Sequence, residues 1–208
     1  MTTRLLLVRH GETDSNVEGR TQGRRDVPLN DHGRRQAAAL AEMLRGYEPV
    51  ALYSSPATRA RETADAVAAA LGLEVVIDER LAELDQGELD GLTRKELRER
   101  APDFLRRWAA EDPATLRIPG GESMGDAQRR MVAAAGAIVE AQPEGTVVIV
   151  SHNLALRTLL CHALGVPLAT FRRFRHDLAS LTVVEVHEGG EFAVVTLNEQ
   201  CHLGEGSD

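Results

Sequence analysis

Four apolar runs, Leu5–Val8, Ala51–Tyr53, Val75–Ile77 and Val147–Val150, constrain this chain most, because each is short enough to be a buried strand and too short to be a core helix. The stretches between them carry helical spacing. Ala37, Leu40, Ala41 and Leu44 lie on one helix face, with Gly46 as the expected cap. Ala60, Ala64, Val67 and Leu71 repeat the pattern before Gly72, and Ala127, Met131, Ala134 and Ile138 do so again, as do Leu156, Leu159, Leu160 and Ala163. Strands alternating with helices predict an α/β chain with a mostly parallel sheet. Two β-rich runs near the end, Ser180–Val186 and Phe192–Leu197, flank Glu188-Gly189-Gly190 and predict a hairpin that adds antiparallel strands at one side. Residues 85–122 lack a clean strand and read as a helical insertion anchored by Leu97, Phe104, Leu105 and Trp108. We therefore expect one domain over residues 1–203, with residues 204–208 as a disordered tail.

Composition narrows the function. A hydrophobic share of 43% and a charged share of 27% in 208 residues suit a globular chain with a real core. No run approaches the roughly 20 apolar residues that span a bilayer, so no membrane is expected. No small-residue cleavage site follows Met1-Thr2-Thr3-Arg4, so no signal peptide is read and the cytoplasm is the expected setting. A net charge of −8 argues against nucleic acid, which needs a basic stripe. It leaves room for a local basic pocket. Cys161 and Cys201 offer neither a disulfide framework nor a paired metal-ligand spacing.

The strand ends carry the chemistry. In open α/β sheets ligands bind beyond the carboxyl ends of the strands. His10 follows the first run within two residues, flanked by Arg9 and Gly11, and His152 follows Val147–Val150 by the same distance. Ser54-Ser55 ends another strand, with Arg59 and Arg61 just after it. Two histidines and several arginines at one rim suit a phosphate monoester, which carries about −1.5 to −2 charges at pH 7. Arginine forks grip its oxygens, and Arg9, Arg59 and a protonated His152 would form the cage. One histidine could attack phosphorus, kept unprotonated by the adjacent arginines, while the other steadies charge. Glu83 is the best-placed carboxylate to protonate the leaving alkoxide. Taken singly, each of these residues has an ordinary structural reading: His10 or His152 as a buried histidine, one of Arg59 and Arg61 as solvated helix face, Glu83 as a loop carboxylate. Their joint occurrence at successive strand ends favours function.

Other motifs fail. Gly121-Glu122-Ser123-Met124-Gly125 has the letters of a hydrolase nucleophile elbow, but no strand precedes it, so Ser123 reads as a helix N-cap. His152 and His162 lack zinc-site spacing, and no phosphate-binding G-x-x-x-x-G-K-[ST] loop exists.

The segment Leu6-Leu7-Val8-Arg9-His10-Gly11-Glu12-Thr13 resembles the signature of the histidine phosphatase superfamily, which includes cofactor-dependent phosphoglycerate mutases. The likeness continues through Asn16, Gln22-Gly23, Asp26, Pro28-Leu29, Gly33, Ser54-Ser55-Pro56, Arg59-Ala60, Thr63-Ala64, Glu83 and Pro119-Gly120-Gly121-Glu122-Ser123 to Val150-Ser151-His152. It implies a three-layer α/β/α sandwich and a phosphohistidine on His10. Arg9, Arg59 and His152 would hold the phosphoryl group, and Glu83 would donate the proton. It also implies that Asn16, Gln22 and Gly23 line the phosphate pocket, that no cofactor is used and that no metal is needed. Three departures bear on the substrate. Ser15 stands where many members have Trp, which predicts a smaller, more polar entrance. Gly87-Glu88-Leu89-Asp90-Gly91 replaces the usual Gly-x-Trp-Glu-Gly, and Asn153 replaces a common Gly and adds a side chain for substrate contact.

The mutases typically carry longer segments over the site, so this length favours a phosphomonoesterase acting on small phosphorylated metabolites. The alternatives are a bisphosphoglycerate-dependent mutase and a non-catalytic binding protein of the same fold. Phe104 and Trp108 are expected either to cover the site or to anchor the insertion. The expected partners are a small phosphorylated substrate and, optionally, a second copy of the chain as a homodimer.

Overall fold

A computed structural model describes residues 2–204; residues 205–208, the rest of the expected tail, lie outside the described residues. The four apolar runs form β1 (Thr2–Arg9), β2 (Ala51–Ser54), β3 (Val75–Ile77) and β4 (Thr146–Ser151), and the hairpin forms β5 (Leu181–His187) and β6 (Phe192–Glu199). The sheet order is β3-β2-β4-β1-β5-β6, with the first four strands mutually parallel and the last two antiparallel at one side, as the alternation predicts. Successive side chains of a strand point to opposite faces. Leu5, Leu7, Val147 and Ile149 therefore pack under α6 (Met124–Ala141) and α7 (Asn153–Ala163), whereas Leu6, Val8, Val148 and Val150 pack under α2 (Asp31–Leu44) and α3 (Thr58–Leu71). These two cores make the three-layer sandwich. With α1 (Asp14–Val17) after β1, and α4 (Arg94–Arg100) and α5 (Pro102–Ala110) in the insertion, they complete the main elements.

Residues 85–122 carry the helices α4 and α5, and Leu97, Phe104 and Trp108 pack against a third core cluster that contains Leu84, Ile118 and Phe171. Leu105 is half-buried and is not part of that cluster. Gly72 caps α3 in the left-handed region, with φ 70°. Gly46 does not cap α2. The chain tightens into a 3-10 turn at Arg45–Tyr47, and Glu48 adopts the left-handed conformation, with φ 50°. The added turn brings Tyr47 against the core beneath α2, which explains why the helix runs past the glycine.

The loop after β1 depends on a close backbone approach. A Cβ on Gly33, in the first turn of α2, would lie 2.1 Å from the Glu12 carbonyl oxygen, and one on Gly11 would lie 2.6 Å from the Gly33 oxygen. Only paired glycines let α2 press on this loop and present His10 at the sheet's carboxyl edge.

Candidate active site

Parallel β1, β2 and β4 end side by side, which brings together the residues that follow them. The His10 and His152 rings lie 5.1 Å apart, centroid to centroid. His10 is buried, and its Nδ1 lies 2.7 Å from the Gly11 carbonyl oxygen. A carbonyl only accepts, so Nδ1 carries the hydrogen and Nε2 holds the lone pair, with no protein partner. Thr63 of α3 fixes this arrangement by accepting the Gly11 N–H and donating to the Arg59 carbonyl. Burial, then Arg59 and Arg9, hold His10 well below the usual histidine range, so the ring is neutral.

Arg59 is fully buried and donates to the carbonyls of Gly23 and Arg25. Arg9 donates to the His176 carbonyl at 2.8 Å, and burial lowers its pKa to about 10, leaving it a cation at neutral pH. Among the described residues neither guanidinium has a carboxylate within ion-pair distance. The Nε atoms of Arg9 and Arg59 and the Nδ1 of His152 are buried without hydrogen-bond partners. Three unmet polar atoms around one bare imidazole nitrogen form a ready-made anion hole. Arg61 is exposed, as expected for one of the pair.

His152 corrects the sequence reading. A protonated His152 was expected, yet burial, then Arg59, His10 and Arg9, hold it neutral in the free protein. It packs in the same electropositive pocket as His10, and its Nε2 meets Ser55 Oγ at 2.7 Å. Two neighbours without assigned roles in the sequence therefore matter here, Ser55 and Thr63. Ser55 stood out only as part of a strand-end pair, and Thr63 only inside a family motif.

Glu83 is buried at the N-terminus of α7. His152 occupies the N-cap but gives no side-chain cap, so the orphan N–H groups of Leu154 and Ala155 donate to the Glu83 carboxylate instead. Leu84 N–H also donates to it. Oε1 accepts two of these bonds and Oε2 one, at 3.1 Å. Arg130 of α6 steadies the segment by donating to the carbonyls of Arg80, Ala82 and Glu83. No periodic or motif signal marked that arginine. Ser123 is the α6 N-cap, in a capping box with Asp126, so it has no nucleophile geometry.

The remaining predicted residues divide between two openings. A cleft of about 790 Å³ is lined by Arg9, Asn16, Trp108 and Asn153, and a recess of about 200 Å³ by Gly23 and Glu83. The Asn16 Oδ1 accepts from Thr13, leaving its amide NH2 free. Asn153 has a free side chain facing the cleft, and Gln22 accepts from Thr13 without lining either opening. The Gly23 N–H is taken by Asp90 at 2.8 Å. Ser15 is buried in α1 and does not line the cleft, so the expected effect on the entrance is not seen. Trp108 serves both expected roles, lining the cleft and packing on Phe171, whereas Phe104 only packs. Among the described residues no group of three or more His, Cys, Asp or Glu is arranged to hold a metal, and no helix is long and apolar enough to cross a membrane.

Comparison with known proteins places this geometry. Residues 5–200 match the family model of the histidine phosphatase superfamily, branch 1. Phosphoserine phosphatase 1 of Hydrogenobacter thermophilus is 37% identical over 202 residues, covering 97% of this chain and 95% of that protein. A protein of Klebsiella pneumoniae named probable phosphoglycerate mutase GpmB is 36% identical, covering 96% of this chain and 94% of its own length. The solved structure of a mycobacterial glucosyl-3-phosphoglycerate phosphatase complexed with VO3 superposes with a TM-score of 0.87 at 32% identity, covering 95% of this chain and 99% of that one.

Proposed function

The chain belongs to the histidine phosphatase superfamily, and we propose that it hydrolyses small phosphomonoesters through a phosphohistidine on His10. One observation carries the reading: the bare Nε2 of His10 stands near two arginines and a histidine whose buried Nε and Nδ1 atoms have no partner. The phosphoryl oxygens supply the missing acceptors. Nε2 forms a bond to phosphorus as the ester P–O bond breaks, and Glu83 gives its proton, from the less committed Oε2, to the departing alkoxide. Water then attacks phosphorus, Glu83 recovers a proton, and the N–P bond breaks to release inorganic phosphate. His152 takes up a proton from solvent as the substrate dianion binds and offsets Arg9 and Arg59; both ring nitrogens then donate, Nδ1 to a phosphoryl oxygen and Nε2 to Ser55 Oγ. Asn16, Gln22, Gly23 and Asn153 are the further substrate contacts on this reading, with Gly23 first exchanging its bond to Asp90. No metal or cofactor enters the reaction, and chelator is expected to leave activity intact.

The test is covalent trapping. A labelled phosphate ester should mark the protein with an acid-labile group, and His10→Ala should abolish the mark; equal labelling would place the nucleophile elsewhere. The mutase reading draws on the Klebsiella relative's name. Efficient interconversion of 3- and 2-phosphoglycerate, primed by bisphosphoglycerate without net phosphate release, would replace hydrolysis with that activity. Complete inactivity across a broad ester panel would favour the non-catalytic reading, against which the full set of Arg9, His10, Arg59, Glu83 and His152 stands. The partner is a small phosphorylated molecule. A net charge of −8 speaks against nucleic acid, two unpaired cysteines suit the reducing cytoplasm, and light scattering decides the homodimer.

A further inference from the structure

Arg9 has one hydrogen bond on its guanidinium, to the carbonyl of His176, although the residue is half-buried and its Nε is fully so. Its orientation therefore depends on where the loop of residues 174–180 sits. The same loop touches the nucleophile: Ala179 N–H donates to the His10 carbonyl at 3.2 Å, and the Ser180 carbonyl accepts from Arg9 N–H. Within the loop Ser180 Oγ donates to the Asp177 carbonyl and accepts from the His176 ring, which ties the turn together.

The loop is in turn held from the end of the chain. Asn198, Gln200 and His202, at alternate positions, bond the successive residues Asp177, Leu178 and Ala179. The Asn198 side chain accepts from Asp177 N–H at 2.6 Å and donates to the Asp177 carboxylate at 2.7 Å. Gln200 donates to the Leu178 carbonyl and His202 to the Ala179 carbonyl, each at 3.0 Å. The backbone is shaped for this contact. The register of β5 against β6 slips between Leu181 and Val183, and Asn198 lies at that irregularity with φ 57°. A bulge re-aims a side chain, and asparagine tolerates the left-handed region better than most residues. The pair of hydrogen bonds to Asp177 also engages a residue that lines the same cleft as Arg9.

We propose that Asn198, supported by Gln200 and His202, is a positioning residue for the active site: by holding residues 177–179 it fixes the His176 carbonyl that aims Arg9 at the phosphoryl group. This rests on the reading that Arg9 grips phosphate. The experiment measures competitive inhibition by orthophosphate, with 4-nitrophenyl phosphate as substrate, for wild type, Asn198→Gly, Arg9→Lys and the double variant. Glycine keeps the positive φ and removes only the side-chain bonds. Asn198→Gly should raise the orthophosphate Ki roughly tenfold, the scale of a modest misplacement, and less than about twofold in the Arg9→Lys background, because the two act as one unit. An unchanged Ki for Asn198→Gly, or the same fold-loss in both backgrounds, would overturn the proposal. A wild-type Ki for Arg9→Lys would overturn the reading beneath it instead, and the proposal with it. Should Asn198→Gly not fold, Gln200→Ala carries the same test through one lost bond, with a smaller rise in Ki expected and no rise refuting it.

Discussion

Replacing Glu83 with Gln separates a proton donor from a structural cap. The Glu83 carboxylate accepts N–H bonds from Leu84 and Ala155 on one oxygen and from Leu154 on the other. In Glu83→Gln the amide oxygen can keep the first two, but the NH2 then faces the Leu154 N–H, donor to donor. One buried N–H is left unmet, which costs about 1–3 kcal/mol, and for a chain of this size each kcal/mol lowers the melting temperature by about 2–4 °C. The catalytic effect has a different signature. An alkyl phosphate needs a proton on its leaving oxygen, so its kcat/KM, which reports the transfer to His10 and not the shared hydrolysis step, should fall by roughly 10²–10⁴. The phenolate of 4-nitrophenyl phosphate leaves unaided near neutral pH, so its kcat/KM should fall less than about tenfold, which is small beside general-acid catalysis. Parallel assays of both esters, with thermal melts, give the comparison. Equal losses for the two leaving groups would refute the proton-donor role and leave Glu83 as the cap of α7.

Ser55→Ala removes the partner that the buried His152 Nε2 has among the described residues; stability should fall by about 1–3 kcal/mol and kcat by roughly tenfold, and an unchanged kcat would show that this bond does not orient the ring. Burial holds His10, His152 and His176 neutral, the last down to about 3, against about 6.5 in the unfolded chain. Because the folded pKa values are depressed, the unfolded state binds more protons below pH 6.5, and stability should fall with pH there by up to about 1.4 kcal/mol per unit for each histidine. Denaturant titrations at pH 7, 6 and 5 check this, and a constant midpoint would refute it. Gly33→Ala drives a methyl into the Glu12 backbone, so it should cost roughly 1–3 kcal/mol and weaken activity by displacing the loop that bears His10; a wild-type melting temperature would contradict the close packing.

Much of the fold was legible in the sequence because strand and helix periodicities are local properties, carried by runs such as Leu5–Val8 and by faces such as Ala60, Ala64 and Val67. The candidate residues were legible because parallel strands end together, so His10 and His152 had to meet once their runs became β1 and β4. What the tertiary structure decided depends on contacts between distant segments. The protonation of His152 turned on how deeply Arg59, Arg9 and both histidines are buried together, which no spacing records. The caps went the same way. Glu83 caps α7 from about 70 residues away, and Glu48 rather than Gly46 turns the chain because Tyr47 reaches the core. The hold of Asn198 on Asp177 needs a register slip between β5 and β6. Sequence patterning thus determined which side chains arrive at the sheet's carboxyl edge; burial and long-range hydrogen bonds decided their charge, their tautomer and their aim.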